Sequence, residues 1–264
     1  MRPSQFLDSL LADGRYTFTR TEAAQTLPLP PIALKNALWR LSRDGRIVSP
    51  HRGFFVIVPA EHRVAGSIQA SWLIRDLMAC LGRPYYVGLL SAAALHGAAH
   101  QAPQELQVLT DRALRPIVVG RNRIRFVKKA HLAQTPITGV RTPTGTLRVS
   151  TPEATAFDLV RYPLSAGSLS NTIVILGELA DRLRSRALLR AAQAERDLAI
   201  AQRLGYLLDR LHLEKLAGPL ARWVEKQAPR LTPLRPSRPI TGAPRDSRWR
   251  IAVNENLQIG TPTA

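Results

Sequence analysis

The sequence is poor in cysteine and in long apolar runs, and each shortage excludes a class of protein. Cys80 is the single cysteine, so the chain forms no internal disulfide bond and no cysteine-based metal cluster. No early segment resembles a signal peptide. The apolar-rich stretches near 85–99 and 173–180 are too short or too rich in small residues to span a membrane. We therefore predict a cytoplasmic protein with no membrane partner.

Acidic residues are also scarce, with 19 Asp and Glu against 37 Lys and Arg and a formal net charge of +18. The imbalance is uneven, because residues 112–148 contain nine basic residues and no acidic one. Such an excess favours a polyanionic partner, with nucleic acid ahead of anionic membrane. At 264 residues and 45% hydrophobic, the chain is long and apolar enough for two ordinary domains with packed cores.

The first sixty residues have the pattern of a winged helix-turn-helix domain. A first helix is predicted over 4–12, and Thr19 and Glu22 have the spacing of a capping box that begins a second. Pro31 suits the first turn of a third helix. The following run DGRIVSPHRGFFVIVP, residues 44–59, predicts a two-stranded hairpin with a basic turn.

The predicted third helix, over 31–43, has one apolar face and one polar face. Its core face consists of Leu34, Ala37, Leu38 and Leu41, at the spacing i, i+3, i+4, i+7. In winged helices the third helix enters the major groove, where Arg and Lys pair with guanine and Asn pairs with adenine. We therefore predict that double-stranded DNA contacts Lys35, Asn36, Trp39, Arg40 and Arg43 on this helix and Arg46, His51 and Arg52 in the wing. Two alternatives stay open: winged helices also dock proteins, and Trp39 could pack on a neighbouring domain.

The rest of the sequence predicts an α+β fold with a small sheet, a helical region and an extended tail. PYYVGLLSAAALHGAAH, residues 84–100, predicts a buried helix ended by Gly97. ELQVLT and the β-branched runs over 116–150 predict the sheet, and Thr151-Pro152-Glu153 begins a series of helices. We predict a winged helix over 1–60, a mixed α/β domain over 61–228, and a Pro- and Arg-rich tail over 229–264 whose RWRIAV segment docks back as a strand.

One predicted strand carries a second concentration of positive charge. In RIRFVKK, Ile124 and Phe126 alternate with basic residues, which indicates one buried face and one basic face. The predicted second basic surface consists of Arg121, Arg123, Arg125, Lys128 and Lys129. It either extends the DNA footprint or faces an RNA or a toxin.

Patterns for catalysis or metal binding are sparse. His96 and His100 have ligand spacing, but Gly97 interrupts the helix and no nearby carboxylate completes a metal set. No phosphate-binding loop or nucleophile elbow occurs. A metal-dependent nuclease needs clustered acids, and Glu105 and Asp111 are followed by 37 residues without one. We expect no enzymatic activity, no metal and no cofactor; a winged helix fused to a nucleic-acid-processing enzyme is the alternative.

The order of several segments resembles the AbiEi family of antitoxins and regulators. After the winged helix come GFFVIVP, then YYVGLLSAAALHGAAHQAPQELQVLT, then GTLRVSTPEATAFDLV. The resemblance covers about residues 5–215 and is strongest in SAAALHG and STPEATAFDL. None of these segments is catalytic, so they indicate a fold rather than a reaction.

The resemblance implies the antitoxin half of a type IV toxin–antitoxin system, paired with a nucleotidyltransferase toxin encoded next door. It implies that the N-terminal domain binds inverted repeats at its operon promoter as a repressor, and that the C-terminal domain is required for antitoxicity. A direct complex with the toxin is left open, because such complexes are often not seen. We expect a monomer in solution that pairs cooperatively on DNA. The alternative is an interaction module that sequesters a protein partner directly.

Overall fold

The computed structural model describes residues 1–98 and 103–257, which form two compact units. The first unit consists of Met1–Val87, Gln104–Leu132 and Gly139–Val149. The second consists of Gly88–Pro103, Ala133–Thr138 and Ser150–Ala264. The domain limits at residues 60 and 228 stay a prediction, because a compact unit is defined by contacts and a domain by independent folding.

The first unit begins with a winged helix-turn-helix. Its helices are Pro3–Ala12 (α1), Arg20–Thr26 (α2) and Pro31–Arg43 (α3), and its strands are Thr17–Thr19 (β1), Ile47–His51 (β2) and Phe54–Ile57 (β3). Pro31 lies in the first turn of α3, where its missing N–H is not needed. The predicted capping box forms only in part: the Thr19 hydroxyl accepts from Glu22 N at 3.1 Å, whereas the Glu22 carboxylate pairs with Arg15 at 2.6 Å.

The hairpin β2–β3 belongs to a three-stranded sheet in the order β1-β3-β2, rather than standing as the two strands expected from the sequence. Phe18 in β1 is buried and stacks on Phe55 at 5.2 Å between ring centroids. The stacking of Phe18 on Phe55 therefore helps to hold the three-residue strand β1 in the sheet. Phe6 and Leu7 of α1, with Leu38 of α3, pack in the same core.

The rest of the first unit is a helix and most residues of a six-stranded sheet. After Ala70–Cys80 (α4) come Tyr85–Val87 (β4), Leu106–Thr110 (β5), Ile117–Val119 (β6), Asn122–Lys128 (β7), Ile137–Thr142 (β8) and Gly145–Ser150 (β9). The strand order is β6-β7-β5-β4-β9-β8. Strand β5 runs parallel to β7 and antiparallel to β4. The predicted alternation in β7 is confirmed, since Ile124 and Phe126 are buried and Arg123 is exposed.

The expected helix over PYYVGLLSAAALHG is wrong in its first half. Residues 85–87 form β4, and the helix Leu89–Leu95 (α5) begins only after Gly88. Strand β4 is buried at all three positions between β5 and β9. Pairing on both sides therefore overrides the local apolar pattern, which does not distinguish a buried strand from a buried helix.

The second unit is mainly helical. Besides α5 it contains Pro152–Arg161 (α6), Leu169–Leu179 (α7), Ser185–Glu195 (α8), Leu198–Arg210 (α9) and Glu214–Lys226 (α10). Thr151 caps α6 by accepting from Ala154 N at 3.3 Å, at the predicted helix start. The tail adds the short strands Thr232–Pro233 (β10), Arg245–Asp246 (β11) and Ile251–Ala252 (β12), in the order β10-β12-β11.

The tail is fastened to α9 by buried contacts. Trp249 is fully buried, and a Cβ at Gly205 would overlap its six-membered ring. The Gln202 amide donates to the carbonyl oxygen of Trp249 at 2.9 Å, and its oxygen accepts from the Thr232 hydroxyl at 2.9 Å. Thr232 and Trp249 of the tail are therefore part of the folded core of the second unit.

The protein has an α+β fold, as predicted from the sequence. Its N-terminal helices and small antiparallel sheet form the winged helix, and a mixed α/β region follows. Across residues 1–98 and 103–257, every helix is too short or too polar to cross a lipid bilayer.

Candidate nucleic-acid interface

The exposed side of α3 is the feature of the first unit that best fits nucleic acid. The four predicted core residues of this helix are buried, which fixes its rotation about its own axis. We define the outer face of α3 as six of its exposed residues: Ile32, Lys35, Asn36, Trp39, Arg40 and Arg43. Their spacing places them on one stripe of the helix.

The outer face carries positive charge that the protein itself does not neutralise. In the part of the chain that the structure describes, no acidic side chain pairs with Lys35 or Arg40. Arg43 is the exception, because its Nε lies 3.3 Å from Asp44 Oδ1. The Arg43 guanidinium also lies 5.2 Å from the centre of the Trp39 ring. Exposed cations without internal partners are available to the phosphates of a nucleic acid.

The wing presents two further basic side chains from a turn that the backbone holds in place. His51 and Arg52 are exposed, and Gly53 has φ +78°, a left-handed conformation that favours glycine. The Ser49 hydroxyl lies 2.9 Å from the His51 carbonyl oxygen and 3.0 Å from that of Phe54. The backbone N–H of Arg20 donates to the Gly53 carbonyl at 2.8 Å, which ties the turn to the start of α2.

Arg46 differs from the other predicted DNA-contacting residues. Its Nη2 donates to Asp8 Oδ1 at 3.0 Å, and its side chain is only 30% exposed. The ion pair joins the start of β2 to α1. Arg46 therefore has a structural partner, and its contact with DNA stays a prediction.

The predicted second basic surface is partly neutralised by a single acid. Arg123 Nε lies 3.4 Å from Glu105 Oε2, and Arg125 Nη1 lies 3.3 Å from Glu105 Oε1. These two arginines belong to β7, and Glu105 immediately precedes the neighbouring strand β5. Arg121 and Lys128 are exposed. The sequence spacing of Glu105 did not indicate this pairing, because it depends on the parallel register of β5 and β7.

Lys129 does not belong to this exposed surface. Its relative exposure is 3%, and its Nζ lies 5.8 Å from the centre of the Tyr86 ring. It follows the last residue of β7, where its backbone N–H donates to the Thr110 carbonyl at 2.9 Å. The aromatic contact and the strand pairing therefore turn Lys129 inward, and its inclusion in the surface was wrong.

In the second unit, the two segments that carry the family resemblance lie against each other. His96, which immediately follows α5, forms a hydrogen bond through Nε2 with the carbonyl oxygen of Ser150 at 2.7 Å. Because a carbonyl oxygen can only accept a hydrogen bond, the ring nitrogen of His96 is the donor. Glu153, at the start of α6, is buried, and its carboxylate accepts a hydrogen bond from the backbone N–H of Arg184 at 3.0 Å. These polar contacts hold backbone turns together within the two segments.

The described residues offer no grouping suited to a metal ion. Within residues 1–98 and 103–257, no three His, Cys, Asp or Glu side chains converge as a metal site would require. His100, the second member of the predicted histidine pair, lies outside the described residues.

Ile32 was not among the residues that the sequence analysis placed on the outer face of α3. It is 76% exposed and lies four residues before Asn36 on the outer face of α3. Helical spacing alone would have placed it on that face. The exposed position follows from the packing of Leu34 and Leu38, which turns Ile32 outward.

The central part of the chain is similar to a known protein family. Residues 86–210 match the family model described as the AbiEi antitoxin C-terminal domain. Among curated proteins, no match was found.

A solved structure has a similar fold over nearly the whole chain. The crystal structure of the RV2827C protein from Mycobacterium tuberculosis superposes with a TM-score of 0.66 at 17% sequence identity. The match covers 95% of this chain and 92% of that one. At this identity the likeness concerns the fold alone, and it includes the winged helix that the family model does not cover.

Proposed function

We propose that this chain, whose residues 86–210 match the AbiEi antitoxin C-terminal domain, is the antitoxin of a type IV toxin–antitoxin system and represses its own operon through its winged helix. Its functional partner would be a nucleotidyltransferase toxin, which the protein neutralises in the cytoplasm. The protein itself would catalyse no reaction. The family match supports the antitoxin part, and the winged helix supports the repressor part.

The outer face of α3 is the observation that carries the repressor proposal. It presents Lys35, Asn36 and Arg40 together, and these side chains match the hydrogen-bonding edges of guanine and adenine in the major groove. A helix of 13 residues, about 20 Å long, is of suitable size for that groove. The face is rigidly placed, because the opposite side of the same helix is buried in the core.

The wing would contribute contacts of a different kind. His51 and Arg52 lie at an exposed turn, where they can reach the phosphate backbone beside the groove that α3 enters. Phosphate contacts fix the position of a protein on DNA but carry no sequence information. The proposal therefore assigns base recognition to α3 and affinity without sequence preference to the wing.

Repression is tested with the DNA that lies immediately upstream of the protein's own coding region. The full-length chain should bind a duplex of that region more tightly than a scrambled duplex of equal composition, and it should lower expression of a reporter placed behind it. Equal affinity for the two duplexes would contradict the repressor proposal.

Antitoxicity is tested by co-expression. A nucleotidyltransferase encoded beside this gene should arrest growth when expressed alone, and the full-length chain should restore growth. Pull-down of the same pair distinguishes the two modes of neutralisation, since a type IV antitoxin leaves no stable complex whereas a sequestering module does. Growth arrest that persists in the presence of the chain would contradict the antitoxin proposal.

A further inference from the structure

Two large apolar side chains lie exposed among the cations of α3. Ile32 is 76% exposed and Trp39 is 61% exposed. A single exposed apolar residue is common on protein surfaces. These two are seven residues apart, with Asn36 between them on the same stripe of the helix, so they form part of one surface with the polar residues.

We infer that Ile32 and Trp39 read the C5 methyl groups of thymines on either side of an adenine that Asn36 contacts. This inference rests on the proposed function of α3 as a recognition helix. In the major groove the thymine methyl is the apolar group that base edges offer, and Asn is suited to bidentate pairing with adenine. Binding would thereby remove each exposed apolar side chain from water.

The spacing along α3 agrees with that of stacked bases. At about 1.5 Å of rise per residue, Ile32 lies about 6 Å and Trp39 about 4.5 Å from Asn36 along the helix axis. Successive bases of one strand lie about 3.4 Å apart. The three side chains would therefore address positions one to two base pairs apart.

Arg43 restricts how Trp39 presents its ring. The guanidinium lies 5.2 Å from the ring centre, a distance typical of a cation–π contact. One side of the ring therefore faces the guanidinium, while Trp39 as a whole stays 61% exposed. A ring whose orientation is restricted before binding loses less conformational freedom when it meets a base.

A protein partner would be a poorer match for the same surface. Tryptophan and arginine are enriched at protein–protein interfaces, but lysine is depleted there and the core of such an interface is poor in charge. Here Lys35 and Arg40 flank the two apolar residues, and no acidic side chain within the described ranges offsets them. The charge therefore favours DNA as the occupant.

The test uses the full-length chain and a duplex selected by it from a random-sequence pool. Each thymine of that duplex is replaced singly by uracil, which lacks only the C5 methyl group, and dissociation constants are measured by fluorescence anisotropy. Burial of one methyl group corresponds to roughly a fourfold change in affinity. We expect a loss of that size at two positions.

Variants of the chain assign each position to a side chain. Ile32→Ala should abolish the uracil effect at one position and Trp39→Ala at the other. Val64→Ala provides the matched control, because Val64 is 81% exposed and lies outside α3; it should retain both effects.

Two outcomes overturn the inference while leaving the proposed function intact. In the first, the chain selects a specific duplex but no uracil replacement weakens binding. In the second, uracil weakens binding equally for the wild-type chain and for both α3 variants. Failure to select any duplex over random sequence would instead contradict DNA recognition itself, and the inference with it.

Discussion

Two tryptophans of this protein each lie close to an arginine, but one tryptophan is exposed to solvent and the other is buried. Arg43 lies 5.2 Å from the ring centre of Trp39, and Arg248 lies 5.6 Å from that of Trp249. Trp39 is 61% exposed on α3, whereas Trp249 is fully buried in the second unit. One arginine–tryptophan pair faces solvent, and the other fastens the tail.

The surroundings of Trp249 explain the difference. Its indole Nε1 donates to Asp209 Oδ2 at 2.7 Å, and Arg248 Nη1 lies 3.1 Å from the same oxygen. Gly205 leaves room on α9 that the ring fills. Trp39 has no comparable slot, because the residues of α3 that pack inward are Leu34, Leu38 and Leu41.

Net charge does not distinguish the N-terminal region, which contains Trp39, from the tail, which contains Trp249. Residues 1–60 contain eight basic and four acidic residues, and residues 229–257 contain six basic and two acidic residues, so each region has a formal charge of +4. In the front region Lys35, Arg40 and Arg52 remain exposed. In the tail Arg235 pairs with Glu255 at 2.8 Å, and Arg248 pairs with Asp209. Arg230, Arg238, Arg245 and Arg250 of the tail are exposed as well, so net charge alone does not identify the surface that binds DNA.

The largest expected effect is on the stability of the fold, which should depend strongly on Trp249 and hardly at all on Trp39. Trp249→Ala should lower the free energy of unfolding by about 3–5 kcal/mol, because it empties a closely packed slot and leaves Asp209 without its indole donor. Trp39→Ala should change it by less than about 0.5 kcal/mol. Denaturant unfolding of the full-length chain measures both. Similar losses for the two variants would contradict the distinction.

The next effect separates the regions by DNA affinity. Arg40→Ala should weaken binding to the selected duplex by about 10- to 100-fold, the range expected when a bidentate pairing with guanine is removed. Arg245→Ala, at an exposed position in the tail, should change affinity less than about twofold. Unfolding curves should be the same for both variants. A loss confined to Arg245→Ala would place the DNA surface in the tail.

Salt dependence tests whether the basic face of β7 also touches phosphates. Removing one side chain that binds a phosphate should reduce the slope of log K against log salt by about one. We expect such a reduction for Arg52→Ala. For the combined substitution of Arg121, Arg123 and Arg125 by Ala we expect less than about one, because Glu105 already neutralises part of that charge. A reduction of two to three would extend the DNA footprint to β7.

The smallest effect concerns the pH dependence of tail docking. Burial raises the pKa of Asp209 above its ordinary value of 3.8, although the Trp249 hydrogen bond and the Arg248 charge act to lower the pKa. The folded state therefore favours the protonated form more than the unfolded state does. The stability contributed by this group is greatest below pH 3.8 and declines as pH rises through the folded pKa.

Asp209→Asn isolates that contribution, because Asn does not titrate. The melting temperature of the wild-type protein, relative to that of the variant, should be highest near pH 4. As the pH rises to 7, the wild-type protein should lose stability relative to the variant. A difference that is constant over this range would show that Asp209 has equal pKa values in the folded and unfolded states.

The sequence predicted the elements whose cause is local. The two faces of α3 follow from helical spacing, and its buried residues are those predicted. The start of α6 follows from Thr151 and Pro152, and the alternation in β7 follows from strand geometry. Each of these features is decided within about a dozen neighbouring residues.

Features that depend on distant pairing could not be predicted in this way. Strand β4 forms because β5 and β9 flank it, although its own residues run on into the small apolar residues of α5. Lys129 turns inward because Tyr86, 43 positions earlier, lies in the same sheet. Glu105 meets Arg123 and Arg125 only through strand register. For the same reason the sequence could not show which basic residues stay available for a partner.

Fluorine NMR of the full-length chain labelled with 5-fluorotryptophan tests the central claim most directly. The chain has four tryptophans, and single Trp→Phe substitutions assign the resonances of Trp39 and Trp249. On titration with the selected duplex, the Trp39 resonance should shift and saturate at the stoichiometry of binding, while that of Trp249 stays in place. A Trp39 resonance that does not move when the duplex is fully bound would contradict recognition of DNA by the outer face of α3.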